Sequence, residues 1–336
     1  MTKSARKIHD ITEKLLFSPL KKDSEYILEL FDFFTSLPIE EDHQGDISLK
    51  NGIALSNKNA SDCIKDYKRT ATFLRGTYKS IMESTKRFPN IRLNILYAGC
   101  GPYATLLVPL LSFFEPKNIN ITLIDINQSS IASVKNLISK LGYEDYISDI
   151  IVADATQFQY PKNTPLHVVV TETMFHALTK EPQVAITQNL APQLTEGGLL
   201  IPEEITISLG YSFFSKEPYL NQYDDTYQIA NSANKNVKRE TINKLFSLNK
   251  NERTNQKDLL HFFESKWHLI PENYEETPDI CIYTHIKIFD TFQLQDADSL
   301  ITNPYCLTSL YNLQDQNKFK IKYNTQNIPN WEITVS

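Results

Sequence analysis

Carboxylates that close apolar strands are the residues of this chain best suited to chemistry on a bound ligand. The run Asn-Ile-Thr-Leu-Ile-Asp at 120–125 ends on Asp125, a strand at 149–155 carries Asp154 at its end, and His-Val-Val-Val-Thr-Glu at 167–172 ends on Glu172. An acid at the carboxyl end of a parallel strand faces the crevice in which open α/β sheets bind ligands. Ahead of these acids, Ile-Leu-Tyr-Ala-Gly-Cys-Gly-Pro-Tyr-Ala at 95–104 reads as a buried strand that breaks into a glycine turn and opens a helix over 106–114. Gly99 and Gly101 permit a tight turn and a close backbone approach to a ligand. The predicted helix would add free N–H groups and a positive dipole end. Asp125 follows the glycines by a little over 20 residues, the spacing at which an acid accepts hydrogen bonds from a ribose diol. These features predict a nucleotide or nucleoside cofactor site. Alone they do not separate a nicotinamide cofactor from others.

Positioning these acids requires alternating strands and helices. A helix at about 183–194 precedes a fifth strand, Gly-Gly-Leu-Leu-Ile-Pro at 197–202, so the sheet is predicted to be parallel, with its ligands at the carboxyl edge. Residues 1–90 are predicted to be helical, with apolar residues at helical spacing over 8–30 and 60–83 and a polar loop over 40–59. Residues 91–206 form the predicted Rossmann-like unit. Residues 207–336 form a β-rich region with strands near 204–214, 281–289, 319–323 and 331–335, and with a polar, helix-prone insertion at about 219–263. The 336 residues carry 41% hydrophobic residues, enough for a sizeable core. No apolar run reaches the roughly 18 residues of a membrane span, and no apolar leader is visible, so a cytoplasmic protein is expected. The four scattered cysteines and seven histidines show no metal-ligand spacing, so no metal is expected. A net charge of −6 without a basic stripe argues against a nucleic-acid binder.

The order glycine turn, Asp125, Asp154 and then Glu172-Thr-Met174-Phe-His-Ala-Leu178-Thr-Lys-Glu181 resembles a class I S-adenosylmethionine-dependent methyltransferase and is similar to the protein arginine methyltransferases. That family's loop carries two glutamates nine residues apart, with a methionine two after the first and a leucine between, a spacing kept here. The stretch Gly-Gly-Leu-Leu-Ile-Pro-Glu at 197–203 resembles the family's entry into its β-barrel, and Asp66-Tyr-Lys-Arg69-Thr resembles the helix whose arginine pairs with the cofactor carboxylate. The segments at 282–284 and 302–307 resemble an early barrel strand and its sequel. The resemblance covers about 63–310. It implies S-adenosyl-L-methionine as cofactor, with Arg69 on its carboxylate, Asp125 on its ribose and Asp154 with Ala155 at its adenine edge. Tyr103, beside the glycines, is a candidate cover for the cofactor. A homodimer is implied by the resemblance alone.

The resemblance also gives the glutamates a chemistry. Guanidinium lone pairs are delocalised, and two carboxylates clamping its N–H fork would orient it for in-line attack on a sulfonium methyl. Glu172 and Glu181 are the expected clamp, and like charges held close would raise one pKa so that it takes the released proton. Met174 and His176 are candidates for the pocket wall, the alternative being that they pack beneath the loop. Glu181, before Pro182 at a predicted helix start, has a capping alternative. Phe175 stands where the family has glycine, and the family's later Thr-His-Trp loop has no clear counterpart in a barrel expected to be shortened. The acceptor is therefore predicted as a guanidino or amino group, on a small molecule or an arginyl residue. The alternatives are an O- or C-methyltransferase of natural products and a non-catalytic cofactor-binding partner.

Overall fold

The computed structural model describes residues 1–37, 45–221, 229–230, 237–251, 263–271 and 276–336. Its first helix, α1 (Lys3–Phe17), is capped by Thr2 and buries Ala5, Ile8, Ile11 and Leu15, a stripe at helical spacing. The periodicity over 8–30 is not one helix: Ser18-Pro19 breaks it, and α2 (Asp23–Thr35) starts anew. A hairpin follows, β1 (Ile47–Leu49) and β2 (Gly52–Ala54), where the sequence suggested only loop; the first part of that loop, 40–44, lies outside the described residues. Next come α3 (Asn57–Asp62) and α4 (Tyr67–Arg87). A buried bidentate pair, Arg75 with Asp23 at 2.7 Å for both contacts, ties α4 to α2.

The central sheet contains β3 (Leu93–Ala98), β4 (Ile119–Asp125), β5 (Ile147–Val152), β6 (Leu166–Thr171) and β7 (Leu194–Ile201), in the order β5-β4-β3-β6-β7 and parallel throughout. Every residue of β3 and β6 is buried, as expected for strands covered on both faces. Two helices complete the crossovers: α5 (Gln128–Leu141) joins β4 to β5, and α6 (Gln183–Leu190) joins β6 to β7. The chain runs outward from β3 in one direction and then returns to start β6 on its other side. The β3–β6 carboxyl edge is thus a topological switch point.

One expectation for this sheet fails. No α-helix follows the glycine turn: 101–107 are turns, and only a 3-10 segment, Val108–Phe113, follows. Ala104 sits at φ +44°, in the left-handed region, which interrupts any helix beginning at the glycines.

Past β7 the chain becomes antiparallel. One sheet holds β8 (Glu204–Ser212), with β9 (Tyr219–Leu220) and β10 (Ile229–Ala230) as a separate short pair, then β11 (Glu240–Asn249) alongside β8. Here the helix-prone reading of 219–263 is corrected. β11 pairs with β8 from Glu240↔Tyr211 to Asn249↔Glu204, and it buries Leu245, Phe246 and Leu248. Tertiary pairing overrides the helical propensity of its lysine- and asparagine-rich sequence. Residues 222–228, 231–236 and 252–262 of that span lie outside the described residues. The short strands β12 (Phe263–Glu264) and β13 (His268–Leu269) come next, then β14 (Asp279–Phe289), β15 (Phe292–Leu294), β16 (Tyr305–Ser309), β17 (Lys318–Asn324) and β18 (Asn330–Val335). β14 pairs with β8, β15 and β16, whereas β17 pairs with β12, β13 and β18. α4 joins the two halves: a Cβ at Gly76 would lie 2.3 Å from Ile288 of β14.

Candidate active site

A cavity of about 940 Å³ opens at the carboxyl ends of β3, β4, β5 and β6. Gly99, Gly101, Asp125, Asp154, Ala155, Arg69, Glu172, Met174 and Glu181 all line it. Tyr103 and His176 do not. Tyr103 is buried and stacked on Phe34 at 4.7 Å between ring centroids, and His176 packs between Phe175 and Tyr305. Burial pushes the His176 imidazole down to about 4, so it is neutral at ordinary pH and supports the loop from behind.

One end of the cavity is built locally. Gly99 (φ +69°) and Gly101 (φ +63°) take left-handed conformations, and a Cβ at Gly99 would lie 2.4 Å from Thr173. The Gly101 N–H donates to Asp125 Oδ2 at 2.8 Å, and the Asn127 N–H donates to Oδ1 at 2.8 Å. The acid therefore clamps the turn to β4. Burial raises its pKa while these N–H groups pull it back. Asp154 is held by its own turn: Oδ1 accepts from the Thr156 N–H at 2.8 Å and Oγ1 at 2.7 Å, and Oδ2 accepts from Gln157 at 3.1 Å.

The other end is assembled from distant pieces. Arg69, in the first turn of α4, forms an ion pair with Glu172 and donates to the Cys63 carbonyl at 3.0 Å. Its Nε is buried without a hydrogen-bond partner. Asp66 caps α4 through the Arg69 N–H and accepts from Ser299 Oγ at 2.7 Å and the Leu300 N–H at 2.8 Å, which fixes the helix start against the β-rich half. From Glu172 to Glu181 the chain makes a strained loop in which Ala177 (φ 53°), Leu178 (φ 57°) and Lys180 (φ 66°) are all left-handed. Phe175, at the family's glycine position, is extended at φ −107°, so no glycine is needed there.

Long-range bonds over-determine this loop. The Ala177 N–H donates to Thr284 Oγ1 at 3.1 Å, and Trp331 Nε1 donates to the Ala177 carbonyl at 2.8 Å. The Tyr323 hydroxyl donates to the Leu178 carbonyl. The Lys180 N–H donates to the Pro329 carbonyl at 2.9 Å, and the Ile53 N–H donates to the Lys180 carbonyl at 2.9 Å. Gly52 (φ +142°) lets the β1–β2 hairpin lie on the loop, since a Cβ there would come within 2.8 Å of Pro182 N and 2.9 Å of the Lys180 carbonyl. None of Thr284, Tyr323, Trp331 or Gly52 was legible as functional, because each acts across a long sequence separation.

Glu181 is a strongly perturbed acid of the site. Burial pushes it up to about 7, with Asp46 adding to the rise and Arg69 and Lys180 opposing it. An acid titrating there can accept a proton near neutrality. Among the described residues, no group of three or more His, Cys, Asp or Glu is placed to hold a metal ion, and no helix is long and apolar enough to cross a membrane.

No family model matches the chain, and no curated protein matches it. Solved structures do. The chain is similar to PRMT1 of Trypanosoma brucei in an enzyme–prozyme heterotetrameric complex with AdoHcy, with a TM-score of 0.51 and 14% identity over 84% of this chain and 93% of that one. It is also similar to PRMT6 in a crystal structure with SAH, with a TM-score of 0.54 and 10% identity over 84% of this chain and 100% of that one. The chain thus has the fold of a class I methyltransferase, similar in architecture to the protein arginine methyltransferases.

Proposed function

We propose that the protein is an S-adenosylmethionine-dependent N-methyltransferase acting on a guanidino or amino group. The observation that carries the reading is that one cavity joins the glycine turn and Asp125 to the two glutamates, Glu172 and Glu181. Both neighbours of known structure carry AdoHcy or SAH by name, which supports the cofactor. The residues present suit that group. Asp125 and the left-handed glycine turn fit a ribose, Asp154 and Ala155 lie along the wall for a base, and the orphaned Arg69 Nε offers a donor to a carboxylate. When bound, S-adenosylmethionine supplies the sulfonium methyl.

The chain's own residues would orient the acceptor and remove its proton. Glu172, on the strand end, and Glu181, across the loop, clamp the N–H fork. Glu181 takes the proton that the nitrogen loses. With Arg69 engaged on the cofactor, Glu172 is released from its ion pair to face the acceptor. Trp331 and Tyr323 hold the loop that sets the two carboxylates apart.

A second reading, O- or C-methyl transfer, is favoured by one observation: Arg69 already neutralises Glu172, which leaves Glu181 as a single base. Transfer of labelled methyl from S-adenosylmethionine to a panel of guanidino, amino, hydroxyl and carbon acceptors tests both. A clamp requires that Glu172→Gln and Glu181→Gln each abolish transfer to a guanidine. Single-base chemistry requires that only Glu181→Gln does so.

A further inference from the structure

We infer that the acceptor is a free guanidino acid, and that Lys180 takes its carboxylate; this rests on the N-methyltransferase reading. Lys180 is the residue beside Glu181 and lies on the rim of the same cavity. Its backbone is pinned on both sides, by the Pro329 carbonyl and by the Ile53 N–H, so the point from which its side chain leaves is fixed. The ammonium rests over the Phe175 ring, 4.3 Å from the centroid. It forms no ion pair or side-chain hydrogen bond among the described residues. A cation held on an aromatic face stays available to a ligand, because the ring satisfies it only weakly. Adjacent residues thus offer opposite signs: a carboxylate for a guanidinium at Glu181 and an ammonium for a carboxylate at Lys180.

A second observation points the same way. The β1–β2 hairpin lies against the glutamate loop and is tied at its turn to the β-rich half. Asn51 Nδ2 donates to the Thr325 carbonyl at 3.0 Å, and the Asn327 N–H donates to the Lys50 carbonyl at 2.8 Å. Leu49 and Ile53 of that hairpin line the cavity. A roof bonded to both the loop and the β-rich half suits a small molecule better than an arginine on a polypeptide, which needs a path for chain on either side. The Phe175 ring fills volume that a glycine at that position would leave open, again favouring a short acceptor.

Three probes of one guanidinium separate the cases: L-arginine, agmatine, which lacks the carboxylate, and Nα-acetyl-L-arginine amide, which mimics a peptide. Calorimetric binding is read on the full-length protein with and without S-adenosylhomocysteine, and methyl transfer in parallel. The expected result is that L-arginine is preferred to agmatine and to the amide by about tenfold, the scale of one charge-assisted contact. Lys180→Gln should collapse that ratio to within about twofold, and Lys180→Glu should invert it. Equal binding of the three probes by the wild type, preference for the amide, binding of none of them, or a ratio unmoved in Lys180→Gln would each overturn the inference. Failure of S-adenosylhomocysteine to bind instead strikes the parent reading, while the arginine-to-agmatine ratio on the free protein still reports on Lys180.

Discussion

The two ends of the cavity are built on opposite principles. At the nucleoside end, Gly99, Gly101 and Asp125 come from adjacent strands and hold one another through short hydrogen bonds, 2.8 Å from the Gly101 N–H to the carboxylate. At the acceptor end, a loop with three left-handed non-glycine residues is held by Ile53, Thr284, Tyr323, Pro329 and Trp331, drawn from both ends of the chain. The comparison teaches where each function is vulnerable. Cofactor binding should depend on the local module, and transfer on the integrity of the whole fold.

The sharpest way to break that contrast is at the carboxylates. Glu181→Gln is expected to lower methyl transfer by about 10²–10³, the scale for one electrostatic contact to a reacting group, while leaving S-adenosylhomocysteine affinity within about twofold. Asp125→Ala should do the reverse at its source. It removes the acceptor of two backbone N–H bonds and the ribose ligand, and should weaken S-adenosylhomocysteine by about 100-fold in a calorimetric titration. Loss of cofactor binding in Glu181→Gln would mean the two ends are one unit.

Gly52→Ala probes the hairpin over the loop. The added methyl meets backbone atoms at 2.8–2.9 Å on both sides of Glu181, with nothing flexible to yield. A stability loss of about 2–3 kcal/mol in urea unfolding is expected, and transfer should fall with it. Trp331→Phe is gentler. It deletes the donor to the Ala177 carbonyl and trims a ring packed on Phe246 and Tyr323, which costs about 1–2 kcal/mol and about tenfold in kcat/KM, with cofactor affinity unchanged.

A separate effect is on the pH dependence. Glu181 holds its proton to about pH 7 in the folded protein, whereas the unfolded chain releases it near 4.5. The folded state therefore binds the proton more tightly. Stability attributable to this group is full below about pH 4.5, is lost progressively as pH rises to about 7, and is flat above that. Thermal unfolding across pH 4.5–8 should show this slope in the wild type and lose it in Glu181→Gln. Binding of a guanidinium near pH 6.5 should release a proton, seen as a buffer-dependent heat.

What could be read in the sequence follows the same division. Unbroken apolar runs such as Val168–Val170 announce a buried parallel sheet, and the acids at their ends announce its ligand edge, because strand period and sheet topology are set locally. The two glutamates were legible only through their spacing. What holds them apart was not, since Trp331 lies 154 residues from Ala177, and no local pattern marks such a bond. Tyr103 and His176 were drawn to the site by adjacency in sequence, yet they point into the packing behind it. The strand at Glu240–Asn249 was hidden for a related reason: its composition favours helix, and only β8, some 30–45 residues away, makes it a strand.

The most direct measurement is calorimetric titration of the purified protein with S-adenosylhomocysteine, with NADH as the rival ligand. The expected result is stoichiometric binding of S-adenosylhomocysteine, weakened about 100-fold in Asp125→Ala and retained in Glu181→Gln. Binding of NADH in its place, or S-adenosylhomocysteine affinity indifferent to Asp125, would contradict it.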